Sequence, residues 1–88
     1  MLKKGKLRII NNDTLLFYCK ACKEYHAVNT KGWRFNGNYD KPTLSPSILV
    51  TWGDNRRCHS FIRDGKIQYL SDCTHELAGQ ILDLEDND

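Results

Sequence analysis

Apolar and polar positions alternate along most of the chain in short runs, which is the period of strands rather than helices. Leu7 to Ile10 is a short apolar stretch, and Asn11-Asn12-Asp13 behind it is a turn signal. Leu15-Leu16-Phe17-Tyr18 then reads as a strand running into Cys19, so the two segments form a hairpin. Tyr25 to Asn29 returns as a further strand. Trp33 and Phe35 share one face of another, and Asn36-Gly37 after them suits a type I′ turn. Pro42 and Pro46 forbid a regular helix and leave Pro42 to Ser47 extended. Ile48 to Trp52 is β-branched and aromatic.

The clearest hairpin follows. Cys58 to Arg63 meets Lys66 to Leu70 across Asp64-Gly65, a two-residue turn signal. Only Thr74 to Ala78 looks helical, with Asp72 or Thr74 as its cap and Gly79 as its stop. Ile81 to Leu84 alternates and adds a last strand. The expected fold is mostly β: one small antiparallel β domain over residues 1–88, with at most one short helix. The basic segment 1–6 and the acidic segment 85–88 are expected to be flexible ends.

Size makes the cysteines matter. Eighty-eight residues lie near the lower end of what one hydrophobic core holds together without a disulfide, a metal or a partner. No signal peptide or apolar run of membrane-spanning length is visible, so no membrane association is expected and a cytoplasmic setting is. There, four cysteines read as metal ligands before disulfides. Cys19-Lys20-Ala21-Cys22 has the spacing of a zinc knuckle, which lets both sulfurs reach one Zn2+ at about 2.3 Å. The hairpin register sets Cys58 opposite Ser71, with Cys73 a diagonal step away on the same face. Cys19, Cys22, Cys58 and Cys73 are therefore the first-choice ligands, with His26, His59 and His75 as alternates. His59 faces away from Cys58, which argues against both binding one ion.

A surplus of candidates opens an enzyme reading. His59, Asp72 and His75 cluster at one end of the hairpin and include an imidazole and a carboxylate fit for acid–base work. A zinc-dependent hydrolase using His59 or His75 would carry a metal-bound water. Neither the His-Glu-x-x-His nor the deaminase zinc signature is present. A net charge of +2 is too small to announce a nucleic-acid binder. Trp33, Phe35, Tyr39 and Trp52 interleaved with Arg34, Lys41, Arg56 and Arg57 still leave nucleic-acid or nucleotide binding as an alternative.

The order Cys19-x-x-Cys22-x-x-x-His26, Trp33-x-Phe35-Asn36-Gly37, Lys41-Pro42-Thr43-Leu44-Ser45-Pro46-Ser47, Cys58-His59-Ser60-Phe61-Ile62-x-Asp64-Gly65 and Asp72-Cys73-Thr74-His75-x-Leu77-Ala78-Gly79 resembles a family of small proteins. They are encoded by bacteriophages and prophages and carry a domain of unknown function. Members are sometimes labelled ammonia monooxygenase or anaerobic dehydrogenase. The likeness runs from about Phe17 to Leu84. This chain departs from the usual pattern at Lys20, Ala21, Lys23 and Glu76, and keeps every candidate ligand. The resemblance implies a phage or prophage origin and the cytosol of a bacterial host. It also implies a small zinc-binding module that acts by binding or regulating a host protein, through a patch expected at Trp33, Asn36, Thr43, Ser45 and Ser47.

Overall fold

The computed structural model describes residues 2–87. Its regular elements are all strands: β1 (Leu2–Lys4), β2 (Leu7–Asn11), β3 (Thr14–Cys19), β4 (Glu24–Asn29), β5 (Arg34–Phe35), β6 (Leu44–Thr51), β7 (Arg57–Arg63), β8 (Lys66–Tyr69) and β9 (Ile81–Asp83). They form two antiparallel meanders, β1-β2-β3-β4 and β5-β6-β7-β8-β9.

The alternation that marks these strands in sequence also builds the core. Along β3, Leu15, Phe17 and Cys19 are buried while the residues between them are only partly so. Along β7, Cys58, Ser60 and Ile62 are buried, and His59 and Phe61 look the other way. The inward residues of both sheets, among them Leu7, Phe17, Val28, Leu44, Ile48, Ile62, Ile67 and Tyr69, make one hydrophobic cluster. A period of two thus lets each sheet spend one face on the core and keep the other for water.

Asp64-Gly65 turns as expected: Arg63 pairs with Lys66, and both turn residues have positive φ (50° and 77°). Two expectations are corrected. Asn36-Gly37 does not make a type I′ turn, because only Gly37 has positive φ (82°). The Asn36 side chain shapes a longer loop instead, accepting from Asn38 N and Thr43 N and donating to Lys41 O. The segment after Thr74 is not helical; Ala78 N to His75 O and Gln80 N to Leu77 O close separate turns. Few residues lie between the cap and Gly79, which leaves no room for a stable helix. Near the two ends, residues of the basic and acidic segments make contacts within the fold. Residues 2–4 pair with β2, and Asn87 Nδ2 donates to Gly5 O and Leu7 O. Met1 and Asp88 lie outside the described residues.

Gly5 shows how tightly this corner is made. Its φ is +57°, and a Cβ there would lie 2.3 Å from the Tyr39 carbonyl oxygen. Only glycine combines that left-handed backbone with that approach.

Candidate functional site

β6 and β7 do not pair evenly. Leu44 lies opposite Ile62 and Ile48 opposite Ser60, so three residues of β6 span the gap that one residue of β7 fills. Such a bulge re-aims side chains, and here it turns Ser47 toward the outer face of the sheet. His59 emerges on that face because its neighbours Cys58 and Ser60 are committed to the core. The Ser47 Oγ lies 3.0 Å from His59 Nε2.

The other ring nitrogen is also engaged. His59 Nδ1 lies 3.1 Å and 3.3 Å from the two carboxylate oxygens of Asp72. Asp72 sits in the turn that follows β8, and that turn is fastened on its far side. Cys73 Sγ accepts from His59 N (3.2 Å) and lies 3.1 Å from His59 O. Thr74 N donates to Arg57 O (2.9 Å), and Thr74 Oγ1 accepts from Arg57 N (2.8 Å). Arg57 Nη1 stands 3.8 Å from the Asp72 carboxylate. In the tautomer where Nδ1–H donates to Asp72, Nε2 is free to take the Ser47 proton. A hydroxyl, an imidazole and a carboxylate are thus joined in one hydrogen-bonded chain.

On the inner side of the same sheet lies a second cluster. The ligand atoms of Cys19, Cys22, His26 and Cys58 all fall within 4.8 Å of one another and can hold a metal ion. A second set, Cys58, Cys73 and His75, shares Cys58 with the first. Lys23, with φ of 57° and its N–H on Cys19 O (2.8 Å), closes the knuckle turn that aims Cys19 and Cys22 the same way. β3 and β7 bring Cys19 Sγ to 3.8 Å from Cys58 Sγ. The donor set suits a metal on a separate count. His26 Nε2 and His75 Nε2 are buried without a hydrogen-bond partner, which a native fold leaves rare and a ligated cation would satisfy.

Among these side chains by themselves, negative charge settles on Cys19. The Cys58 thiol first, then His26 and the Tyr69 hydroxyl beside it, lower its thiol to about 3 against the opposing effect of burial. Burial pushes the Cys22 thiol up to about 12, with the Cys19 charge adding to it. Cys58 moves up for the converse reason, since its proton serves Cys19 and it too is buried. Tyr69, whose hydroxyl is 3.2 Å from Cys19 Sγ, is raised by burial and then by the same charge. One thiolate is ready for a cation, and two thiols must surrender protons to it.

The residues named from sequence separate into these two places. His26 joins Cys19, Cys22 and Cys58, while Cys73 bonds the His59 backbone and groups with His75. His59 lies in neither metal group; both its ring nitrogens are held by Ser47 and Asp72. Ser47 was expected on a binding patch, and its place beside His59 is what sequence reasoning missed. The rest of that patch is engaged within the fold. Trp33 Nε1 donates to Pro46 O, Thr43 Oγ1 accepts from Asp64 N, Ser45 pairs with Arg34, and Asn36 holds its loop. The aromatics of the nucleic-acid reading are partly buried against the core, with Phe35 packed on Tyr39 and Trp52 beside His26.

No helix is long and apolar enough to cross a membrane among the described residues. Residues 1–70 match the family described as bacterial ubiquitination-like system serine protease (BubE). The matched span includes Ser47 and His59 and stops short of Asp72. No curated protein and no solved structure matches the chain.

Proposed function

The chain belongs to the bacterial ubiquitination-like system serine protease (BubE) family, and from that premise we propose that it is a serine protease working through Ser47, His59 and Asp72. The observation that carries the reading is the unbroken chain from Ser47 Oγ through both nitrogens of His59 to the Asp72 carboxylate. A serine hydroxyl is a poor nucleophile until a base takes its proton as the new bond forms.

The steps follow from that geometry. Ser47 Oγ attacks the scissile carbonyl carbon while His59 Nε2 takes its proton. His59 then protonates the departing amine nitrogen as the C–N bond breaks, leaving an ester on Ser47. Water, deprotonated by His59, attacks the ester; the proton returns to Ser47 and the acid product leaves. Asp72 keeps the imidazole in its tautomer and balances the imidazolium that forms twice in the cycle.

The metal is placed in this reading as zinc held by Cys19, Cys22, His26 and Cys58, a sulfur-rich set with no redox demand. It supplies a structural cross-link between the two sheets. Cys58 is next in the chain to His59, so fixing Cys58 on the inner face fixes the backbone that carries the base on the outer one.

The test is covalent labelling with a fluorophosphonate, which reacts with activated serines. Wild type is expected to lose the label specifically on Ser47→Ala and His59→Ala, with both variants still folded. Labelling at another serine, or none in wild type, would sink the proposal.

A further inference from the structure

β6 is covered on its outer side only where it begins. β5 contributes two pairings, Arg34 with Ser45 and Phe35 with Leu44, and Trp33 Nε1 caps Pro46 O. From Ser47 onward no described strand lies against that edge. The phase of the ladder decides which groups face it. Trp52 N donates to Arg56 O, and Val50 pairs with Cys58 and Ile48 with Ser60, so these three β6 residues turn their main-chain groups toward β7. Leu49 and Thr51 turn theirs the other way. His59 agrees with this phase: it lies opposite Leu49, yet its carbonyl accepts from Leu70 N on the β8 side. The Leu49 side chain, 55% exposed, stands on the same face as His59.

We propose that the substrate polypeptide docks as an added β-strand on the outer edge of β6 from Ser47 to Thr51, main chain to main chain. The Leu49 and Thr51 N–H and C=O groups hold it, and the strand spacing brings its scissile carbonyl to Ser47. This rests on the triad reading and says what that triad acts upon: an extended, locally unfolded stretch of protein. Leu49 adds apolar contact for a side chain beside the scissile bond. Affinity comes mostly from main-chain bonds, so the mode tolerates varied sequences. An open edge is also an aggregation hazard, which a fold closes unless it has a use for it. The occupant is taken to be substrate because the open edge starts at the nucleophile itself.

Two measurements test this. Leu49→Pro removes the outward N–H and leaves the β7 ladder intact, since edge strands accept proline where the N–H faces out. Thr51→Pro does the same two residues further on, and Leu49→Ala deletes the side chain while keeping the N–H. Cleavage of unfolded β-casein is expected to fall at least tenfold in both proline variants, with fluorophosphonate labelling of Ser47 near the wild-type rate. Leu49→Ala, which loses the apolar contact and keeps the N–H, should lower casein cleavage less than Leu49→Pro does. Independently of edge variants, amide exchange is followed in Ser47→Ala with and without β-casein; Leu49 and Thr51 amides are expected to slow at least fivefold. Normal casein cleavage by labelled-competent proline variants, or unchanged exchange, would overturn strand addition while leaving the triad standing. Protection that grows with concentration of the free protein would give the edge to a second copy and also overturn it. Wild type that neither labels nor cleaves would remove both readings together.

Discussion

At the scale of single residues, Asp72 carries the sharpest prediction. Its carboxylate meets His59 Nδ1 at 3.1 Å while its side chain remains 43% exposed, so the fold does not depend on burying it. Asp72→Asn keeps the shape but offers an amide where the imidazole N–H needs an acceptor, favouring the wrong tautomer. Peptide hydrolysis is expected to fall by roughly 10^3–10^4, as loss of the orienting carboxylate does in such triads. Thermal melting should stay within a few degrees of wild type. A fall of less than threefold would show that Asp72 is a bystander. Much of this site was legible residue by residue: period-two alternation sets His59 opposite in facing to Cys58, and a histidine beside a carboxylate is a visible acid–base pair. Ser47 was not, because Ser45, Ser47 and Ser60 look alike until the pairing of β6 is known. Ser60 in the structure is buried on the core side.

At the scale of elements, the hairpin of β7 and β8 could be read directly, since Asp64-Gly65 fixes the register and the register fixes the faces. The bulge in β6 was only partly legible: Pro46 marks an edge or bulge position, but how many residues the irregularity takes up between Leu44 and Ile48 shows only in the pairing with β7. The turn after β8 was misread as helical for a related reason. Its residues favour a helix start, but Thr74 and Cys73 spend their polar groups on Arg57 and His59 instead. That cross-link predicts the effect of Thr74→Val, which keeps volume and loses the acceptor for Arg57 N. A bond worth about 1 kcal/mol is removed. If most of it bears on where Asp72 sits, the Ser47 labelling rate drops by up to about fivefold. KM for a peptide substrate should hardly change, since the β6 edge is untouched.

At the scale of the whole molecule, the knuckle from one sheet and Cys58 from the other make the metal group a bridge between sheets. Zinc binding is therefore expected to raise the melting temperature, and chelation at equilibrium to lower it together with Ser47 labelling. The thiol shifts set the proton count. At pH 7 Cys19, lowered to about 3, has already given up its proton, whereas Cys22, raised to about 12, and Cys58, also raised, keep theirs. Binding should release about two thiol protons rather than three, so affinity climbs roughly 100-fold per pH unit near neutrality. Calorimetry in two buffers of different ionisation enthalpy reads that number directly. The sequence offered all the ligands but not their choice. Hairpin geometry set Cys73 beside Cys58, and the two share a metal-capable group with His75; packing of β4 against the core brings His26, which the register did not reach, to Cys19, Cys22 and Cys58.

Asn87 N lies 3.0 Å from Gly5 O, so the last described residue closes on the turn between β1 and β2, one three-residue strand away from Leu2. A linker long enough to run back along the three residues of β1, with a new opening in the exposed Gly53–Arg56 turn, would give a circular permutant with the same contacts. Its chain order would run base, carboxylate, nucleophile instead of nucleophile, base, carboxylate. Such a permutant should still take the fluorophosphonate on Ser47, because what the triad needs is the meeting of β6 with β7 in space. The direction in which the polypeptide visits those strands is free to vary.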